Sequence, residues 1–354
     1  VITKSIENVE VSLTTEEDKL TLEAYDNTKL VAVNTCPTWG IVRYHHHKTL
    51  SGGGRSMALE AGSVSHEVYA AVRLWQMRNT QGRPDLADVH GTRLFGDTRH
   101  SKMLSSITKG SDERQQSLSY CLAALETSDF YDDPGDRRRT FSNIEEALIA
   151  YIDRWDWNRA PVWIGDDNES VGIEIPIDVT FTYTFTDGST KKIRFSGKID
   201  GVHEKDGEVI LQENKTGARL DEAWRTSFEM ATQVTGYCIA ASVIIGRPIN
   251  KAEILGMAIP LPRNFDMGGI VRENVRRESH HFERWFNWLL WTVDLLETYK
   301  DDLNNAPMFT HSCNRYFRPC SMIPYCYADD EDREQILTEM VVDEWSPLHD
   351  EGTT

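Results

Sequence analysis

Apolar residues recur along this chain with two different periods, and the change between them organises the rest. SGGGRSMALEAGSVSHEVYAAVRLWQMR opens on a glycine-rich turn and then sets Val64, Val68, Ala71 and Trp75 at three-to-four spacing, the pattern of a helix with one buried face. From about Pro84 to Tyr151 the chain is polar and reads as helix in pieces. Within it, FYDDPGDRRRTFSN is a loop and IEEALIAYIDRW a helix capped by Ser142 or Asn143. Then the period changes. VGIEIPIDVTFTYTF alternates apolar and polar residues, TDGST turns, KKIRFSGKIDGV alternates again, EKDG turns, and EVILQENK runs straight. Such runs predict three consecutive antiparallel strands. A helix over about Asp221 to Ile245, a strand in AEILGMAIPL and a tryptophan-rich helix from about Arg272 to Leu303 follow, while LVAVN predicts a short strand before Cys36-Pro37. Helix, strands, helix, strand, helix in that order predicts an α/β fold with a sheet flanked by helices.

Composition narrows the function classes. Hydrophobic residues make up 40% of 354, enough for a sizeable core. No apolar run approaches the roughly 20 residues of a membrane span, and the first twenty residues lack a secretory apolar stretch. These features predict an intracellular, cytoplasmic protein. A net charge of −18 argues against coating nucleic acid by bulk attraction. Ten acidic residues and only Arg333 on the basic side lie between Asp329 and Glu351, which predicts a solvated, disordered acidic tail over 328–354. Basic clusters at Arg137 to Arg139, at Lys191 and Lys192, and at Arg272, Arg276 and Arg277 leave room for a local track along a phosphate backbone.

The candidate chemistry lies at the strands. Asp200 closes the second strand, and Glu213 and Lys215 lie on the third. Residues two apart on a strand face one side, so Glu213 and Lys215 project together while Asn214 points away. Pairing through the EKDG turn would bring Asp200 near Glu213. Two carboxylates there make a hard oxygen site suited to Mg²⁺ or Mn²⁺, and a lysine beside them can stabilise the charge that builds on a phosphate under attack. Taken alone, an ExK triplet is more often a solvent-facing ion pair.

The flanking residues change that weighting. GKIDGV, then ENKTG, then QVTGY on a helix, resemble the PD-(D/E)XK nuclease superfamily, and within it the RecB-like branch found in RecB and AddB nuclease domains, CRISPR-associated exonucleases and phage nucleases. The resemblance implies a restriction-endonuclease-like core with a mixed sheet. It implies that Asp200 and Glu213 bind metal, that Lys215 assists catalysis, and that Gln233 and Tyr237 position the strand. GSVSHEVY matches the branch's G-x-x-x-H element, with His66 as a further metal ligand. Glu174, on the first strand, is either the acidic residue that relatives often carry there or a plain sheet-edge carboxylate. His45 to His47 read as a solvated turn, since consecutive residues cannot all face one ion.

SCNRYFRPCSMIPYC places Cys313, Cys320 and Cys326 close together, and clustered thiols in a reducing compartment point to metal. RecB-like nucleases with a cluster use one early cysteine and three late ones, so the resemblance implies that Cys36, in CPTWGIVRY, completes the set. The late spacing here, C-x₆-C-x₅-C, departs from the branch's commoner C-x₂-C-x₅-C. Four thiolates fit [4Fe–4S] or Zn²⁺; the resemblance favours a structural [4Fe–4S]. Cys121 and Cys238 read as buried packing residues. Trp285, Trp288 and Trp291, with Phe286 and Leu295, read as one packed helix face, and Arg315 and Arg318 as cations that meet either DNA or the tail.

The expected organisation is one RecB-like nuclease domain over 1–327, with a helical part about 55–160, the catalytic sheet and helix about 170–262, and a cluster-bearing part about 270–327. The expected function is a metal-dependent DNA exonuclease in recombination, repair or phage DNA processing, in a bacterial or phage-infected cell. Its expected partners are DNA with a single-stranded portion and, since GxxxxGK[ST] is absent, a separate helicase or recombinase. The alternatives are a non-catalytic DNA-binding subunit that keeps the fold and a zinc-stabilised interaction protein.

Overall fold

The computed structural model describes residues 7–50, 56–108, 110–155, 160–261, 269–315 and 318–344. The glycine-rich turn at 51–55 and the last ten residues of the tail lie outside them. In chain order the first elements are β1 (Val9–Leu13), α1 (Glu16–Thr21), β2 (Ala24–Tyr25), α2 (Asn27–Thr35), α3 (Pro37–Tyr44) and β3 (Lys48–Thr49). Four helices follow: α4 (Met57–Trp75), α5 (Pro84–Ser105), α6 (Glu113–Glu126) and α7 (Phe141–Trp155). Then come β4 (Ile173–Thr184), β5 (Thr190–Lys205), β6 (Glu208–Gly217), α8 (Glu222–Thr226), α9 (Thr232–Ile245), β7 (Lys251–Ala258) and β8 (Ile270–Arg276). The chain closes with α10 (Ser279–Tyr299), β9 (Asn314–Arg315), β10 (Arg318–Pro319), α11 (Ile323–Tyr327), α12 (Asp330–Glu339) and β11 (Val341–Val342).

The main strands hydrogen-bond in the order β1-β4-β5-β6-β7-β8, with β2 beside β5. Most neighbouring strands of the sheet are antiparallel, but β6 and β7 run parallel, joined through α9 as a βαβ crossover. The expected mixed sheet flanked by helices is therefore present. Between β5 and β6 the turn is two residues, Asp206 (φ 53°) and Gly207 (φ 79°), flanked by the pair Lys205↔Glu208. Two successive positive φ angles match the twist of a tight hairpin, so the DG in EKDG sets the register of both strands.

The chain divides into two compact units, with boundaries inside β4 (after Ile175) and β5 (after Lys198). Unit 1 holds Arg55–Ile175 and Ile199–Glu278; unit 2 holds Ile2–Gly54, Pro176–Lys198 and Ser279–Thr354. Unit 1 packs Val68, Leu74 and Trp75 of α4 against Tyr120, Leu148, Ile152, Leu255 and Met257. Within α5, Gly96 takes φ 72° and breaks the helix into two limbs, and Gly91 lies so near His100 that a β-carbon would stand 2.3 Å from its Nε2. Unit 2 contains an aromatic nest of Phe181, Phe195, Trp285 and Phe286 and a smaller core of Val42, Met322, Tyr325 and Met340.

Several expectations are corrected. LVAVN lies in α2, not a strand: Asp26 accepts the N–H groups of Thr28 and Lys29, and Leu30 and Val33 are buried one turn apart, so cap and packing override β-branched propensity. Helix α7 begins one residue before Ser142 and its cap is Thr140, whose Oγ1 accepts Asn143 N–H at 3.3 Å. The helix expected over Asp221 to Ile245 breaks into α8 and α9. Residues 272–276 belong to β8, which pairs with β7, and the long helix starts only at Ser279. On α10, Trp285 and Phe286 are buried but Trp291 is 50% exposed, and Val293 and Leu296 take the inward positions.

The acidic tail is ordered as far as it is described. Asp329 caps α12 through Asp332 N–H, and β11 pairs antiparallel with β3. Arg333 turns inward, donating to the carbonyls of Tyr325 and Cys326. Ion pairs also occupy most of the expected basic clusters. Arg139 meets Asp136, Lys191 meets Asp294 and Glu297, Lys192 meets Asp18, Arg272 meets Glu253 and Arg276 meets Glu278. Arg277 is buried against the carbonyls of Phe228 and Ala231. Arg137 and Arg138 are exposed and form no ion pair among the described residues.

Candidate metal centre and active site

Strand pairing brings the carboxylates together. Gly201 pairs with Gln212, and the next step of that register sets Asp200 opposite Glu213. Asp200 lies inside β5 rather than at its end, because the strand runs on to Lys205. The Asn214 N–H donates to Asp200 Oδ2 at 2.6 Å, and Lys215 Nζ donates to Glu213 Oε1 at 2.5 Å. Asn214 turns its side chain to the other face, where Tyr151 Oη and Gln212 Nε2 donate to its Oδ1. Period two holds through the triplet.

His66 reaches the same point from α4. Its Nδ1 lies 3.1 Å from Asp200 Oδ1. One turn earlier, Gly62 faces β6, where a β-carbon would make an ordinary contact 3.7 Å from Thr216 Oγ1. Glu174 completes the group: single ligand atoms of His66, Glu174 and Asp200 lie within 4.8 Å of one another. Adjacent ligands of one octahedral Mg²⁺ stand about 3 Å apart and opposite ones about 4.2 Å, so a bound ion would draw these donors closer. Glu174 adopts φ 47°, a left-handed backbone that costs a non-glycine residue about 1–3 kcal/mol. Beside it, Gly172 lies against β5, where a β-carbon would stand 2.3 Å from the Val202 carbonyl oxygen. Glu174, left undecided on sequence grounds, is thus in the close group. Glu213 lies outside that group, but its Oε2 is buried without a hydrogen-bond partner.

The electrostatics fit a group awaiting a cation. Burial, then the Asp200 charge, pushes the Glu213 carboxyl up to about 7, with Lys215 and His66 only partly opposing. Burial also opposes ionisation of Asp200, but His66, Lys215 and the Asn214 N–H hold it below the usual carboxylate range. Burial disfavours the imidazolium of His66, yet Asp200 and Glu174 keep its pKa above the ordinary value. Lys215 is likewise kept above its ordinary value by Glu213 and Asp200, against burial. An orphaned buried carboxylate oxygen beside two carboxylates and an imidazole is a donor set suited to Mg²⁺ or Mn²⁺.

The remaining expected residues divide. Gln233 and Tyr237 share one face of α9, half-buried and buried respectively, and neither belongs to the close group. The three histidines diverge: His45 pairs with Glu23 and His46 with the Lys300 carbonyl, while His47 takes φ 53°. Cys121 and Cys238 are fully buried. Cys36, Cys313, Cys320 and Cys326 all belong to unit 2. Burial, then Cys36, Cys320 and Cys313, pushes the Cys326 thiol up to about 11. Cys36 and Cys320 line a cavity of about 220 Å³ with Trp39 and Pro319. Among the described residues, however, no three of these sulfurs lie within 4.8 Å of one another. The side chains of Arg315 and Arg318 lie outside the description.

A mixed sheet carrying D…ExK, with a histidine from an earlier helix, offers the donor set that divalent-metal phosphodiester hydrolysis uses. The family model of the PD-(D/E)XK nuclease superfamily matches residues 61–327, and the chain belongs to that superfamily. No curated protein matches the chain. A solved structure described as "Crystal structure of SSO0001" is similar at 17% identity and a TM-score of 0.23, over 42% of this chain and 56% of that one. The match thus spans little more than half of that structure. No described helix is long and apolar enough to cross a membrane.

Proposed function

We propose that this chain is a RecB-like DNA nuclease, an exonuclease of recombination, repair or phage DNA processing, acting on DNA with a single-stranded portion beside a helicase or recombinase partner. The observation that carries the reading is the buried His66–Glu174–Asp200 group, with the unpartnered Glu213 Oε2 next to it. His66, Glu174, Asp200 and Glu213 would hold Mg²⁺ or Mn²⁺, which supplies Lewis acidity and a more acidic bound water. Lys215 orients the attacking water and stabilises charge on the phosphate. Gln233 and Tyr237, one turn apart on α9, hold the strand being cut.

In the same reading Cys36, Cys313, Cys320 and Cys326 hold a structural [4Fe–4S] cluster. Tetrahedral Zn²⁺ with bonds of about 2.3 Å needs all four sulfurs about 3.8 Å apart, whereas no three of these sulfurs lie within 4.8 Å of one another. A four-iron cluster binds each thiolate to a different iron and accepts a wider set.

The test is cleavage of end-labelled linear and circular, single- and double-stranded DNA with Mg²⁺ or Mn²⁺. Cleavage by the wild type, with loss of about three orders of magnitude in Asp200→Ala and Lys215→Ala, is expected from removing several kcal/mol of transition-state stabilisation. Undiminished cleavage by either variant would overturn the assignment. Linear-only cleavage marks an exonuclease.

A further inference from the structure

The metal-binding residues close a ring of contacts through two buried tyrosines. Asp200 Oδ1 meets His66 Nδ1 at 3.1 Å. The His66 ring meets Tyr69 edge-on, with centroids 5.6 Å apart, and Tyr69 lies 4.5 Å from Tyr151. Tyr151 Oη donates to Asn214 Oδ1 at 2.8 Å, and the Asn214 N–H returns to Asp200 Oδ2 at 2.6 Å. Tyr69, Tyr151, Asn214 and Gln212 are at most 1% exposed. Both oxygens of Asp200 are therefore oriented, one by the imidazole and the other by a backbone amide whose own residue is clamped from behind.

We infer that Tyr151 is a positioning residue for the metal site, on a face of the sheet that substrate never touches. Its hydroxyl anchors Asn214, and so the peptide N–H that fixes Asp200; its ring backs Tyr69, and so His66. Gln212 Nε2 supplies the second donor to Asn214 Oδ1 at 3.2 Å. A buried amide carbonyl that loses one of two donors shifts to recover it, and here such a shift moves the strand between Glu213 and Lys215. Groups that orient metal ligands from behind commonly set affinity by 10–100-fold. The inference rests on the metal-site reading proposed above.

The experiment is calorimetric titration of Mn²⁺ into the metal-stripped full chain, without DNA, for wild type, Tyr151→Phe and Gln212→Leu. Each variant's metal-free thermal unfolding is recorded alongside. Tyr151→Phe keeps the ring and removes the hydroxyl; its Mn²⁺ dissociation constant is expected to rise about 10-fold or more. Gln212→Leu leaves both tyrosines in place and is expected to weaken binding in the same direction, which keeps the test decisive if Tyr151→Phe fails to fold. Tyr120→Phe, at a tyrosine buried in the same core, is expected to leave affinity unchanged. A lowered unfolding midpoint with Mn²⁺ affinity unchanged would mark a purely structural role and overturn the inference. A wild type that takes up no Mn²⁺ would overturn the metal-site reading itself, and the inference with it.

Discussion

The carboxylate group of unit 1 and the thiol set of unit 2 are built by opposite means. The first is drawn from paired strands and one helix, is mostly buried, and holds three donors within 4.8 Å before any ion arrives. The second is drawn from a helix boundary at Cys36 and from short segments around Cys313, Cys320 and Cys326, three of them half-exposed. A strand ladder fixes donor positions through its backbone, whereas sulfurs on short segments need their ligand to hold them together. Unit 1 therefore stores electrostatic strain, whereas unit 2, on the cluster reading proposed above, depends on what it binds.

The largest effect expected from that contrast follows Glu213→Gln. The substitution removes an ionisable group without changing its size, so activity is expected to fall by about two to three orders of magnitude. Stability is expected to move the other way. Glu213 is held at about 7 against an ordinary 4.5. Between those values the folded chain keeps a proton that the unfolded chain has released, so stability falls as pH rises through this window, by about 3 kcal/mol. In urea with chelator at pH 8, Glu213→Gln should therefore exceed the wild type by up to that amount, of order 3 kcal/mol. Equal stability at pH 8 and at pH 4.5 would break this half of the comparison.

Cys320→Ala comes next. It is expected to give a colourless protein whose unit 2 unfolds at lower temperature, by roughly 2–5 kcal/mol if a bound centre is lost, while Mn²⁺ binding in unit 1 persists. Absorbance near 400 nm and differential scanning calorimetry check it; a fully folded, unchanged variant would break the contrast. Gly40→Ala tests unit 2 without touching a thiol. A β-carbon at position 40 would lie 2.4 Å from Val33 N, and forcing α2 and α3 apart is expected to cost about 1–3 kcal/mol in chemical unfolding. The smallest effect is expected from Arg43→Ala. Its ion pair with Asp343 at 2.7 Å is half-open to solvent, so a loss of about 0.2–1 kcal/mol is expected.

How far the chain could be read beforehand follows the same division. β4 and β5 alternate in sequence, β6 follows as a straight apolar run, and short turns join them, so their existence and the common face of Glu213 and Lys215 were legible. Helix α2 was not, because Leu30, Val31 and Val33 favour strand locally and only the Asp26 cap and burial decide otherwise. In β8, Val271 and Val275 are four apart and fit a helix equally well; pairing with β7 is the deciding contact. The tail misled through its charge, although Ile336, Leu337 and Met340 carry helical spacing and pack on the core of Met322 and Tyr325. Glu174 could not be placed because its position depends on a left-handed backbone that glutamate does not favour and on the close approach of Gly172 to Val202. The sulfur spacing was invisible for a simpler reason: it depends on segments far apart in sequence.

The pairing of β11 with β3 has a consequence for time rather than for stability. Val342 sits opposite Lys48, Asp343 N–H donates to the His47 carbonyl at 2.7 Å, and Lys48 Nζ donates to the Leu337 carbonyl. The strand that follows the Cys36 helix thus waits for a partner synthesised nearly three hundred residues later. Contacts of such long range form last and slowly. During synthesis Cys36 leaves the ribosome long before Cys313, Cys320 and Cys326 exist, so loading of any centre on these four thiols waits for Cys326, after every residue of the carboxylate group has been made.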